Sequence, residues 1–272
     1  MIRREFEGGL LLIPQTAHAW VAGQLALRWG NERFARPEPW DELMLVASQH
    51  DSGWAEWEMA PRIHPDGRPV GFMEMELEEH FAIWQRSVER MQPTSLYGAL
   101  LISMHATFMY ERRLQDDERG DTPEARQRMR GFVDEQRKFQ EGIRHTLAGH
   151  PRYGPALEEQ PLADAFRLLQ IWDLLSLLLL LAPGSAGLLG PFPTNRLEDV
   201  PVAPCERATI QLTPRDKRTL TLEPYPFGEA PFTVRADGRW LAQGTFRHNA
   251  LFRRALEDAQ LVGLEISVDR AD

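Results

Sequence analysis

The sequence predicts an α+β protein: a mainly helical body with a smaller β-rich C-terminal part. Three observations carry that expectation. Long stretches between residues 15 and 182 repeat apolar residues at helical spacing, and the segment after about residue 205 switches to strand-like alternation. Between them lies a Pro- and Gly-rich stretch, with Pro183, Gly184, Gly187, Gly190, Pro191, Pro193, Pro201 and Pro204, which reads as a linker. The domain reading is therefore 1–190 for the helical part, with short N-terminal strands at 2–13, and 191–272 for the linker and β-rich region packed on it.

Taken in order, residues 2–13 read as one or two strands around Glu7-Gly8-Gly9. Helices are expected from Gln15 to about Trp29, from about Pro39 to Asp51, and from Phe72 to Met91. Further helices are expected from Ser95 to about Leu114, from Pro123 to about Leu147, and from Leu162 to Ala182. Trp54 to Gly71, rich in Pro, Gly and Trp, reads as a long surface loop. Later strands are expected at 209–212, 219–222, 232–235 and 264–268, with a hairpin turn at Ala236-Asp237-Gly238-Arg239 and a short helix near 249–258.

A net charge of −9 argues against a general nucleic-acid or anionic-membrane surface. One cysteine, Cys205, leaves no internal disulfide framework and no thiolate cluster. The N-terminal apolar run Leu10–Ile13 is too short for a signal-peptide core, and the run Leu174–Leu181 is too short for a membrane span. A cytoplasmic location is the expectation.

Polar residues in the wrong surroundings locate the chemistry. His50 and Asp51 stand together after the apolar run Leu43–Ala47, with Ser52-Gly53 offering a helix C-cap directly afterwards. Asp173 sits among Leu168, Leu169, Ile171, Trp172, Leu174 and Leu175, far from a helix start, and His105 is framed by Ile102, Met104 and Phe108. An ionised carboxylate in such a helix needs a cationic partner. Any one of these histidines alone also reads as a hydrogen-bonded core residue. His18 and His80 complete the set, although Glu78 and Glu79 give His80 a more solvated setting.

The order His18, His50-Asp51, His80, His105, Asp173 on successive helices resembles the HD superfamily of metal-dependent enzymes, over about residues 15–182. Gln15-Thr16-Ala17-His18, His50-Asp51-Ser52-Gly53-Trp54, Gly67-Arg68-Pro69 and Pro224-Tyr225-Pro226-Phe227 resemble a bacterial branch of it. The resemblance implies one metal on His18, His50, Asp51 and Asp173, a second on His80 and His105, and Asp51 as bridge. It implies one or two divalent transition ions, Fe, Mn, Co, Ni or Zn, because imidazole with carboxylate suits these better than Ca or Mg.

His50 and Asp51 are then the catalytic pair of a hydrolase that cleaves a phosphoester of a small metabolite or nucleotide with a metal-activated water. The alternatives are an HD-type di-iron oxygenase or a non-catalytic metal- or ligand-binding protein. Where many HD enzymes carry a lysine three residues after the Asp, this chain has Trp54. Substrate contacts are therefore sought at Trp54, Arg62, Arg68 and Arg112, with Arg113 beside the last. The expected partner is a small phosphorylated molecule, and a homo-oligomer is compatible with the sequence.

Overall fold

The computed structural model describes residues 1–181, 194–203 and 206–271. The linker motif at 183–193, the 190/191 boundary, Pro204 and Cys205 lie outside the described residues.

The chain opens with a hairpin of β1 (Ile2–Phe6) and β2 (Gly9–Ile13). Glu7 and Gly8, both at positive φ, make its turn. Helices α1 (Gln15–Arg28), α2 (Trp40–Gln49), the short α3 (Ala55–Met59), α4 (Leu77–Met91), α5 (Leu96–Gln115), α6 (Pro123–Leu147) and α7 (Glu159–Leu181) follow. Then come β3 (Arg196–Pro201), β4 (Arg207–Pro214), β5 (Thr219–Glu223), β6 (Phe232–Leu241), α8 (Asn249–Glu257) and β7 (Gln260–Arg270). The fold is α+β. Among the described residues, no helix is long and apolar enough to cross a membrane.

Among the described residues, seven strands form one sheet in the order β1-β2-β6-β7-β5-β4-β3. Every neighbouring pair is antiparallel except β5 and β7, which run parallel. The N-terminal hairpin thus pairs with the C-terminal strands through β2 and β6. The large core spans both parts, joining Val21, Leu25, Val46, Leu101 and Leu175 of the helices to Ile210, Leu222, Val234 and Ile266 of the sheet. A second core of Leu12, Trp54, Trp57, Ile83, Leu241, Phe246 and Phe252 ties the segment after His50 to α4, the sheet and α8.

Three expectations need correction. The turn signal at Ala236–Arg239 is overridden, because β6 runs straight through it, paired with β7 from Phe232 to Trp240. Its inward positions Phe232, Val234, Ala236 and Gly238 are buried and the ones between exposed. Gly238 belongs there for want of room: a Cβ would sit 2.8 Å from Leu11 Cδ1. Second, residues 196–201, read as part of the linker, are a strand that pairs with β4. Third, the loop expected from Trp54 begins with a 3₁₀ turn at Ser52–Trp54 and α3. Trp54 and Trp57 are core residues, 1% and 9% exposed.

Helix α5 is started by Ser95, whose hydroxyl accepts the Gly98 N–H at 2.8 Å and is itself buried. Replacing Ser95 by alanine orphans that donor and is expected to cost about 1 kcal/mol in chemical denaturation. No loss of stability would show that the cap does not hold α5.

Candidate metal centre

Four side chains from three places in the chain converge. His18 lies on the inner face of α1, His50 is the C-cap of α2, Asp51 follows it, and Asp173 comes from the middle of α7. His18, His50 and Asp51 are almost wholly buried, while the Asp173 side chain keeps 18% exposure. His18 Nε2 lies 3.4 Å from Asp51 Oδ2 and 3.1 Å from Asp173 Oδ1. His50 Nε2 lies 3.8 Å and 3.3 Å from the same two oxygens. The four atoms close a ring in which nitrogen and oxygen alternate.

Three of the ring's four edges match the spacing of ligand atoms around one ion, and the fourth, His50 to Asp51, is wider at 3.8 Å. With bonds of about 2.1 Å, neighbouring ligand atoms stand about 3.0 Å apart at right angles and about 3.4 Å apart in a tetrahedron. The charges balance as well: two carboxylates offset either two imidazolium protons or one divalent cation. His18, His50 and Asp51 can each offer one ligand atom within 4.8 Å of the others. Asp173 lies outside that close group and contacts both imidazoles through Oδ1, at 3.1 and 3.3 Å.

The histidines are oriented from behind. His50 Nδ1 lies 3.0 Å from the Ala47 carbonyl, which only accepts, so Nδ1 carries the proton and Nε2 faces the ring. His18 Nδ1 lies 2.7 Å from Ser176 Oγ. Gln15 Nε2 donates to Asp51 Oδ2 at 3.3 Å from one turn before His18. Among the described residues, buried His50 Nε2 makes no hydrogen bond of good geometry, although carboxylates lie close by. That nitrogen faces Asp173 Oδ1 at 3.3 Å, where a second proton or the lone-pair bond to a cation can be placed.

Burial disfavours the charged imidazolium of His18, but hydrogen bonds to Asp173 and Asp51 outweigh it and raise the pKa to about 9. His50 is raised against burial by the nearby Asp51 charge. Burial opposes ionisation of Asp173 too, yet its bond to His18 holds the carboxyl well below the usual carboxylate range. Asp51 is lowered by His50 and His18 in the same way.

Of the six expected ligands, His105 stands at the edge of this group. Its Nε2 is 3.6 Å from Asp173 Oδ2, and its Nδ1 is buried with no hydrogen-bond partner among the described residues. Its ring also packs edge-on against His50, with centroids 5.8 Å apart. His80 lies apart. Its Nδ1 is 2.7 Å from the Tyr110 hydroxyl, and it packs on Trp54, Trp84 and Tyr110. Burial pushes its imidazole down to about 4. The second metal expected on His80 and His105 is not assembled as a ligand cluster among the described residues.

The expected substrate contacts are engaged elsewhere. Trp54 is buried between Trp57 and His80. Arg62 pairs with Glu79, and Arg68 with Asp66 at 2.7 Å. Arg112 lies over the Phe108 ring, and Arg113 pairs with Asp121. Two residues behind the site were missed, Gln15 and Ser176. Their signals were spacing: Gln15 stands three residues before His18, and Ser176 three after Asp173 in a run of leucines.

Comparison with known proteins bears on the ancestry of this site. Residues 1–243 match a family described as "Protein of unknown function (DUF3891)". The chain belongs to the DUF3891 family. No curated protein and no solved structure matches it. The resemblance to the HD superfamily is thereby corrected: a DUF3891 assignment spans nearly the whole chain, and nothing positive ties that chain to HD enzymes. Ligand roles inferred from the resemblance lose that support. The site of this DUF3891 protein stands on its own geometry.

Proposed function

We propose that this DUF3891 protein is a metal-dependent hydrolase whose centre is His18, His50, Asp51 and Asp173. The observation that supports it is the closed ring of two imidazole nitrogens and two carboxylate oxygens, with His50 Nε2 buried in it and making no hydrogen bond of good geometry among the described residues. The donor set suits Zn, Fe, Mn, Co or Ni. Such an ion supplies a water whose pKa is lowered towards about 7 and a Lewis acid for the substrate oxygen, so no protein nucleophile is required.

The protein's own part is to hold the ligands. Ala47 and Ser176 fix the imidazoles, Gln15 steadies Asp51, and His105 sits on the second oxygen of Asp173. Asp173 is the ligand nearest solvent, which makes its side the approach for a substrate. Phosphoesters of small metabolites are the first substrates to try, because the ion can polarise a phosphoryl oxygen directly.

Metal analysis of purified wild-type protein, followed by a phosphate-release panel with added Mn, Co, Ni or Zn, tests this reading. About one tightly held ion per chain and metal-dependent turnover are expected. A protein that retains no ion after loading refutes the centre. One that holds the ion but neither releases phosphate nor consumes oxygen is a binding protein. Two imidazoles with a carboxylate also form the ligand set of non-haem Fe(II) oxygenases. Oxygen consumption by the iron-loaded protein separates that reading from hydrolysis.

A further inference from the structure

We infer that Ser176 is a positioning residue that selects the His18 nitrogen presented to the metal and thereby sets the affinity of the site; this rests on the metal-centre reading above. Ser176 is fully buried in the most apolar helix of the protein, with leucines on both sides. Among the described residues its hydroxyl has two polar contacts, the Asp173 carbonyl and His18 Nδ1, each at 2.7 Å.

A hydroxyl has one proton, and here it goes to the carbonyl one turn back, a common bond for a helical serine. The oxygen must therefore accept from His18, so Nδ1 carries a hydrogen and Nε2 is the nitrogen left to bind. The same bond fixes the ring. Turning the imidazole over would set a carbon against the buried hydroxyl and leave that oxygen without its donor.

One side chain thus links two of the four ligands, through the backbone of Asp173 and the ring of His18. The corresponding support of His50 is the Ala47 carbonyl, which no side-chain substitution removes. Ser176 is therefore the place where orientation can be tested without touching a ligand.

The test is cobalt binding by chelated wild-type, Ser176→Ala and Ser176→Thr proteins. Thermal melts in chelator establish that each is folded, and the visible d–d bands of Co(II) report the ligand set. Ser176→Ala is expected to bind Co(II) about 10- to 100-fold more weakly, with altered bands, the loss usual for an outer-shell partner. Ser176→Thr, which keeps the hydroxyl, is expected to restore both. A serine that merely satisfies the helix would change the chelated melt and leave Co(II) affinity and bands as in wild type; that result overturns the inference. Wild-type protein that binds no Co(II) sinks the metal centre itself, a separate failure. If Ser176→Ala does not fold, ¹H–¹⁵N NMR of the zinc-loaded wild type decides. A proton on His18 Nδ1 supports the assignment, and a proton on Nε2 overturns it.

Discussion

Replacing His50 or Asp51 by alanine is expected to abolish tight binding of a divalent metal, and with it the stabilisation that metal gives the wild-type protein. Each substitution deletes one corner of a ring whose edges run from 3.1 to 3.8 Å, and neither neighbour can move into the gap. His18 is pinned by Ser176, and Asp173 lies between His18, His50 and His105. A ligand at 100 times its dissociation constant stabilises the folded state by about 2.7 kcal/mol. For a chain of this length that is a rise in melting temperature of roughly 5–10 °C. Wild-type protein should show the rise on loading and lose it in chelator; the alanine variants should show neither. Equal metal content in wild type and both variants would remove these residues from the centre.

The chelated protein should also respond to pH in a definite sense. His18 binds its proton more tightly folded, with a pKa of about 9, than unfolded at about 6.5. Its contribution is therefore fully present below about 6.5 and is lost as pH rises through about 9. The Asp51 and Asp173 carboxyls have the opposite sign, since both are lowered, and they withdraw their stabilisation on acidification. A metal ion that takes the place of the His18 proton should flatten the alkaline loss. Chelated and loaded melts that fall in parallel between pH 6.5 and 9 would count against that exchange.

The parts of this protein that were legible in the sequence are those where a local pattern meets no rival. Helices α5 to α7 follow directly from apolar spacing, and Pro123 at the first position marks the start of α6. Asp173 and His105 were legible because a charge or imidazole among leucines and isoleucines demands a partner. Which partner is decided by packing between elements far apart in sequence. His80 illustrates this: its sequence neighbours Glu78 and Glu79 suggest a solvated setting, whereas Trp54 and Trp84 enclose it and Tyr110 takes its Nδ1. Arg62 and Arg68 looked available for phosphate because their acids, Glu79 and Asp66, lie elsewhere on α4 or in the turn just upstream. The Asp237-Gly238 turn signal fails for a related reason. A strand partner running from Gln260 to Val268 supplies backbone hydrogen bonds along the whole length of β6, and a local turn would forfeit them.

Gly53→Ala is expected to be the most damaging single-methyl change near the site. A Cβ there would lie 2.0 Å from the Ile83 carbonyl oxygen and 2.7 Å from both the backbone nitrogen and the hydroxyl of Ser87. The close approach exists because the turn after Asp51 docks directly on α4. The Gly53 N–H donates to Ser87 Oγ at 2.9 Å, Arg86 Nε reaches the Gly53 carbonyl at 3.3 Å, and Arg90 holds the Ser52 carbonyl. The nearest obstacle is backbone, which no rotamer change can relieve, so the turn must lift away from α4. Overpacking of this kind costs about 1–3 kcal/mol and sometimes more. Removing only the hydroxyl, in Ser87→Ala, should cost about 1 kcal/mol for the lost hydrogen bond. The contrast identifies the cause. If the clash is with the Ile83 carbonyl, adding Ser87→Ala to Gly53→Ala relieves nothing, and denaturant melts of the double variant stay at least as low as those of the single one. Recovery in the double variant would assign the damage to the Ser87 hydroxyl instead. Lifting the turn also carries Asp51 away from His18, so Gly53→Ala should weaken metal binding with all four ligands still in the chain. A Gly53→Ala protein with wild-type stability and wild-type metal affinity would show that α4 does not hold the His50-Asp51 corner in place.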